Sequence, residues 1–314
     1  MSLPPVEQIA PGTWAIPLPL PIAFPDFTFC YLLVDADGGA HLIDPGWDDD
    51  EGRAALVRGL QQAGVGLPDV RSIVVTHLHA DHLGLAVALK SELGVPIVVS
   101  RIENAAMDGA PLVTDDEIAA WGVPPERLAE VLGASQARVD RPRTHGDVLV
   151  EDGDRLPIPG RDVQVLLTPG HTLGHVVVLD HGERLVFTGD HVLPGINPGL
   201  GLGGRGPNNP ISDYLQALDR VAAFDGYAVC PGHEYRFTAL GARCTEIGDH
   251  HRRRTAEVAA AVAAHPDATV WELARSVAWT YGWDALTDTM LLSALSQIAM
   301  HRDLVTRSGS APSA

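Results

Sequence analysis

The densest run of metal-binding side chains in the sequence is Thr76-His77-Leu78-His79-Ala80-Asp81-His82-Leu83-Gly84. It follows a short apolar strand pattern, RSIVVT at 71–76, and precedes a helical pattern, LAVALKSELG, closed by Gly94. In extended backbone His77 and His79 project to the same side, while Asp81 and His82 open the next helix and can point back at the same space. Three imidazoles and a carboxylate from six consecutive residues suit Zn²⁺, Fe²⁺ or Mn²⁺, and the absence of thiolate argues against a structural cysteine-type zinc site. Further candidates each follow an apolar strand pattern: His171 in TPGHTLGH, Asp190 in FTGDHV and His233 in CPGHEY. Strand ends are where α/β folds place reactive groups, and the preceding Pro-Gly or Thr-Gly lets the backbone turn sharply. Histidine is in excess for a packed core, at 14 against 6 Phe and 5 Tyr.

These residues need a scaffold, and the patterning supplies one. Strand patterns run through WAIPL, FTFCYLLVD and GGAHLIDPG, a helix covers 51–63, and VPIVVS forms a second buried strand after the histidine run. Residues 102–138 read as short helices with Pro breaks, an insertion of the kind that caps a site. Strand patterns return at 147–193, followed by the loop LPGINPGLGLGGRGPNNP, the helix ISDYLQALDRVAAF and the strand YAVCPGH. From about Ile247 the chain is mostly helical. The expected organisation is a catalytic domain at 1–245, a C-terminal helical domain at 246–306 and a disordered tail at 307–314.

Composition narrows the function classes. The chain has 314 residues, 46% of them hydrophobic, which is enough for a large α/β core. A net charge of -18 disfavours nucleic acid and anionic membrane as partners. No stretch reaches the length of a transmembrane span, and MSLPPVEQIA lacks the basic start and apolar segment of a signal peptide, so a soluble, cytoplasmic protein with no membrane contact is expected. Cys30, Cys230 and Cys244 form neither a disulfide framework nor a metal knuckle and are read as core thiols. The glycine-rich loop does not join a strand to a helix, so its GxGxxG-like spacing is read as flexibility near the site and not as a nucleotide fingerprint.

The order HxHxDH, PGHTxGH, TGD, PGH resembles the metallo-β-lactamase-fold superfamily across about residues 5–240. That resemblance implies an αββα sandwich with a dinuclear site at one edge between the sheets. It implies one metal held by His77, His79 and His171, a second held by Asp81, His82 and His233, and Asp190 bridging them. It also implies that Asp44, in LIDPG, supports the ligands from behind. His175 and His191 adjoin the proposed ligands and are candidates for hydrogen bonding to them or for substrate contact. GHEYRF at 232–237 resembles a segment of glyoxalase II, which makes Tyr235 and Arg236 candidate contacts; packing is the alternative for Tyr235. The C-terminal helices resemble the winged-helix-like extension of some superfamily hydrolases, where they could wall the active site or support a homodimer. The basic run Arg252, Arg253, Arg254 sits in a region with more acidic than basic residues overall.

Two metals lower the pKa of a shared water, giving a bridging hydroxide at neutral pH, and offset charge on the substrate. Asp81 could also orient that nucleophile and pass a proton to the leaving group. The expected cofactor is two divalent ions, zinc first with iron or manganese as alternatives. The expected reaction is hydrolysis of an ester-like carbonyl bond in a small acyl substrate, a thioester on glutathione, coenzyme A or an acyl carrier, or a lactone. Zinc β-lactamases of the commonest type carry Cys at the second-metal position, and no Cys lies near 190, so β-lactam hydrolysis is at most weak. A phosphodiesterase or endoribonuclease of the same superfamily is the enzyme alternative. A catalytically silent metal or ligand sensor is the non-enzyme one.

Overall fold

The strand Phe27–Val34 shows how the layers arise. Its Phe29, Tyr31 and Leu33 enter one hydrophobic core while Cys30 and Leu32 enter another, because successive strand side chains point to opposite faces. A strand apolar on both faces must be covered on both, here by a second sheet on one side and by helices on the other. The computed structural model describes residues 3–22, 25–108, 113–137, 144–204, 206–280 and 282–309.

Among these residues, one sheet has neighbouring strands β1 (Glu7–Ala10), β2 (Thr13–Pro19), β3 (Phe27–Val34), β4 (Ala40–Ile43), β5 (Val70–Val74), β6 (Ile97–Ser100) and β7 (Val148–Val150). The other is built from β8 (Arg155–Leu156), β9 (Val163–Leu167), β10 (Val176–Asp180), β11 (Leu185–Gly189) and β12 (Ala228–Pro231), neighbours in that order. Strands β4 to β7 run parallel, as do β11 and β12; the remaining pairs are antiparallel. Helices α1 (Asp50–Gln62) and α2 (Ala80–Leu93) cover the outer face of the first sheet through Leu56, Leu60, Leu83 and Leu89.

The insertion contributes α3 (Arg101–Ala106), α4 (Asp115–Ala120) and α5 (Pro125–Ala137). Helices α6 (Pro210–Ala222) and α7 (Leu240–Ala264) cover the second sheet with Tyr214, Leu218, Leu240 and Ile247. The expected αββα sandwich with a helical extension is the observed fold. The extension adds α8 (Val270–Ser276) and α9 (Asp288–Gly309). Helices α4 and α5 share a core with it, formed around Trp121, Val131, Val258, Leu273 and Leu295. Part of the predicted insertion, residues 109–112 and 138, and residues 310–314 of the predicted tail lie outside the described residues. All three cysteines are buried and free. No described helix is long and apolar enough to cross a membrane.

The junction between sandwich and extension carries an acid-sensitive element. His251 of α7 and His301 of α9 stack with ring centroids 6.2 Å apart. Both nitrogens of His251 and Nε2 of His301 are buried without a hydrogen-bond partner among the described residues. Burial, reinforced by His250 and Arg254, pushes His251 down to about 4, and burial with His251 nearby pushes His301 down to about 3. An unfolded histidine titrates near 6.5, so below that pH the unfolded chain binds more protons than the folded one. The stability contributed by keeping these rings neutral is complete above about pH 6.5 and is lost as the pH falls toward the folded values. His251→Phe keeps a ring in place and removes one titrating group. Thermal unfolding is expected to show the variant gaining on the unmodified protein at about pH 5 relative to about pH 8; a difference between the two proteins that does not change with pH would refute the assignment.

Candidate metal centre

The expected ligands converge at one edge of the sandwich, at the carboxyl ends of β5, β9, β11 and β12. His77 lies in a bend after β5, His79 is the extended residue that precedes α2, and Asp81 and His82 stand on the first turn of α2, where the helix dipole favours a carboxylate. His171, Asp190 and His233 follow the other three strands. The turn before His171 requires glycine: Gly170 has φ 137°, and a Cβ there would lie 2.4 Å from Cβ of Tyr214. Gly189, before Asp190, has φ 47°, and a Cβ there would approach Thr76 Oγ1 to 2.7 Å.

The donor atoms form two groups, His77, His79, His171 and Asp190 in one and Asp81, His82 and His233 in the other. In the first, His79 Nδ1 lies 3.0 Å from His77 Nε2 and 3.1 Å from His171 Nε2. In the second, Asp81 Oδ2 lies 3.3 Å from His233 Nε2 and 3.8 Å from His82 Nε2. The Asp190 carboxylate stands between the groups: Oδ2 is 3.6 Å from His171 Nε2, and Oδ1 is 3.4 Å from His82 Nε2 and 3.3 Å from His233 Nε2. Donors tetrahedrally placed about 2.0–2.1 Å from one ion are roughly 3.3 Å apart, so this spacing fits two ions. Buried His82 Nε2 and Asp190 Oδ1 lack any hydrogen-bond partner among the described residues, as groups meant to face a cation do.

Behind the donors, a second set of contacts fixes each ring. His82 Nδ1 meets Asp44 Oδ2 at 2.8 Å, and Asp44 also accepts from Thr76 N at 2.8 Å and Thr76 Oγ1 at 2.6 Å. Asp44 adopts φ 53°, a left-handed conformation costly for a residue with a side chain, and sustained here by those contacts. His171 Nδ1 donates to Gly199 O at 2.6 Å and His233 Nδ1 to Phe27 O at 2.9 Å. With Nδ1–H so occupied, Nε2 is the nitrogen that faces the cluster, and it carries a lone pair whenever the ring is neutral. The glycine-rich loop is therefore pinned to the site, contrary to the flexibility expected of it: besides Gly199, Gly201 N donates to Gly170 O and Leu202 N to His171 O.

His175 lies one layer back, its Nε2 accepting from Asp190 N at 3.2 Å and its Nδ1 facing Thr168 Oγ1 at 2.9 Å. His191 is fully buried, with its ring 4.8 Å from that of Tyr214 and both nitrogens unpartnered among the described residues. Tyr235 is 57% exposed, next to Glu234, whose carboxylate accepts from Gly195 N and Ile196 N. Arg236 pairs with Glu7 at the surface. Trp14 packs against the outer core of the first sheet.

The electrostatics divide the cluster. Burial, with the mutual closeness of the rings, pushes His77 and His171 down and His79 down to about 3, so this group is a set of neutral imidazoles. Burial also opposes charge on His82 and His233, but the carboxylates of Asp190 and Asp81 hold His82 well up and raise His233 to about 10. Reciprocally, burial works to raise Asp81 and Asp190, and His82 and His233 override it and hold both below the usual carboxylate range.

Sequence reasoning missed Glu103. It is fully buried, its Oε1 accepts from Leu78 N at 2.8 Å and its Oε2 from Gly174 N at 2.7 Å. Leu78 separates His77 from His79, and Gly174 adjoins His175 in the loop of His171, so one carboxylate ties two ligand loops together. Ser100 Oγ caps α3 at Glu103 N and donates to Gly174 O at 2.5 Å. The available signal was Ser100-x-x-Glu103 directly after the strand VPIVVS, a helix-start pattern.

Comparison with known proteins agrees with this geometry. Residues 23–233 match the family described as the metallo-beta-lactamase superfamily. A probable metallo-hydrolase from Bacillus subtilis, YqjP, is 28% identical over 304 residues, 93% of this chain and 91% of that protein. The hydroxyacylglutathione hydrolase GloC of Haemophilus influenzae is 26% identical over 170 residues, 53% of this chain and 67% of that protein. Among solved structures, a metallo-beta-lactamase family protein from Thermus thermophilus superimposes with a TM-score of 0.74 at 26% identity, covering 96% of each chain. A beta-lactamase domain protein from Burkholderia ambifaria shares the fold with a TM-score of 0.79 at 24% identity, covering 97% of this chain and 89% of that one.

Proposed function

Since this chain belongs to the metallo-beta-lactamase superfamily and carries a dinuclear ligand cluster, we propose that it hydrolyses an ester-like carbonyl bond, a thioester or a lactone, in a small acyl substrate. The observation that carries the reading is the Asp190 carboxylate set between two groups of donors. On this reading His77, His79 and His171 would hold one divalent ion and Asp81, His82 and His233 the other, with Asp190, whose carboxylate lies near both groups, shared between them. Zinc fits the imidazole and carboxylate donors, as do iron and manganese. When bound, the two ions supply Lewis acidity, lowering the pKa of water toward neutrality and offsetting negative charge on the carbonyl oxygen.

The chain's own residues do the rest. Asp81 and Asp190 are the more open carboxylates of the cluster, with side chains 18% and 12% exposed, while the rings of His77 and His82 are closed to solvent. Asp81 is therefore placed to orient an attacking water and pass its proton to the departing thiolate or alkoxide. Asp44, Gly199 O and Phe27 O hold the imidazoles in the tautomer that presents Nε2. The GloC relative, named for hydrolysing a hydroxyacylglutathione, supports a thioester substrate. The net charge of -18 favours carbonyl substrates over RNA and other phosphodiesters.

The test is a hydrolysis panel on metal-reconstituted protein, with acyl-glutathione, acyl-coenzyme A, a lactone, a β-lactam, a phosphodiester and RNA. Metal-dependent turnover of a thioester or lactone, with at most weak β-lactam cleavage, is the expected result. Phosphodiester or RNA cleavage alone would replace this reading with the nuclease one, and binding of two metals with no turnover would favour a sensor.

A further inference from the structure

A second constellation of reactive groups lies at the other end of the strands. The metal ligands follow the carboxyl ends of the parallel strands, whereas His41 and Ser72 stand near the amino ends of β4 and β5, about 13 Å of extended chain before Thr76. His41 and Ser72 are register partners across these strands, immediately after an irregularity in the pairing between Ala40 and His41. Ala40 and Leu42 enter the outer core, and Ile43 and Val74 enter the core between the sheets. Strand alternation thus assigns His41 and Ser72 to the inter-sheet face, which is largely apolar. Polar groups in such positions oppose stability unless satisfied, and broken local rules of this kind concentrate at functional sites.

Here the groups are satisfied by one another, in a directional relay. Asp35 Oδ1 accepts from Asp37 N at 2.8 Å and Gly39 N at 2.7 Å, which fixes the carboxylate. Asp35 Oδ2 lies 3.0 Å from His41 Nε2, and His41 Nδ1 lies 2.7 Å from Ser72 Oγ. The carboxylate cannot donate, so Nε2 carries the proton and Nδ1 is left to accept the proton of the Ser72 hydroxyl. A nucleophile in contact with a base that a third group orients is the arrangement of activated-serine chemistry. The relay also opens onto space: His41 and Ser72 line a cleft of about 660 Å³ whose walls include Val98, Val150, Leu156 and Ile158. Arg71 lines the same cleft and has no ion pair among the described residues.

We propose that Ser72 is a nucleophile activated by His41 and oriented through Asp35, and that this cleft is a second acyl-transfer site that takes an uncharged ester with an apolar acyl group. Ser72 Oγ bonds to the carbonyl carbon as its proton passes to His41 Nδ1. The ester C–O bond then breaks, and the departing alkoxide takes the proton from His41. Water hydrolyses the acyl-serine by the same proton path, returning Ser72.

The experiment treats the full chain with an alkyl fluorophosphonate, with and without prior removal of divalent metal by chelation, and maps the adduct by mass spectrometry. One adduct per chain on Ser72 is expected, insensitive to chelation. Ser72→Ala should abolish it, and His41→Gln, which leaves the serine in place, should slow it at least tenfold. No adduct on Ser72 in the folded protein, an adduct elsewhere, or labelling unaffected by His41→Gln would overturn the proposal. The metal-dependent activity is read separately by the hydrolysis panel, so either assignment can fail alone.

Discussion

Asp190→Ala is expected to bind fewer than two divalent ions per chain and to lose hydrolytic activity by on the order of 10³-fold or more. The carboxylate faces both donor groups, with Oδ2 3.6 Å from His171 Nε2 and Oδ1 3.3 Å from His233 Nε2. His175, the histidine behind it, is held one layer back on Asp190 N and Thr168 Oγ1. Loss of a metal's charge stabilisation removes several kcal/mol from the transition state, and each 1.4 kcal/mol is about a factor of ten in rate. Elemental analysis and kcat/KM measured on the same preparation are the check. Two tightly bound ions together with full activity would remove Asp190 from the metal centre.

Glu103→Ala should act without touching any ligand. Truncation leaves Leu78 N and Gly174 N buried without an acceptor, at about 1–3 kcal/mol for each N–H, and releases the loops of His77, His79 and His171 from one another. Metal affinity is expected to fall by about 10–100-fold, the usual consequence of losing a group that orients a ligand, and the melting temperature to fall by several degrees. Glu103→Gln should lie between, because one amide oxygen can still serve one of the two N–H groups while the NH₂ faces the other. Competitive chelation and thermal unfolding of both variants decide it, and unchanged affinity in folded Glu103→Ala would show that the loops hold their spacing unaided.

A buried carboxylate such as Glu103 illustrates why the site was only partly legible. The ligand types and their strand-end contexts are local properties, so HLHADH, PGH and TGD announced a metal centre at sight. Glu103 is meaningful only through Leu78 and Gly174, which are far from it in sequence, and its local pattern resembles that of any capped helix. The glycine-rich loop misled for a related reason. Its glycines looked like freedom, but Gly203 is glycine because a Cβ there would lie 2.5 Å from Cβ of Thr172, and the loop packs tightly against the turn of His171.

By itself the sequence determined the kind of chemistry and the layers. Side-chain periodicity fixes which faces are apolar, and the clustering of imidazole and carboxylate at strand ends fixes a cation as what those ends can hold. Tertiary structure alone decided that Glu103 ties the loops of His77 and His171 together, and that Asp35, His41 and Ser72 join at the far end of the strands. The insertion's entry into the core of the C-terminal helices was decided there too. Each of these depends on distances between segments remote in the chain. Periodicity specifies the direction in which a side chain points, and only the packing of one sheet against the other and of the helices around them specifies what it meets.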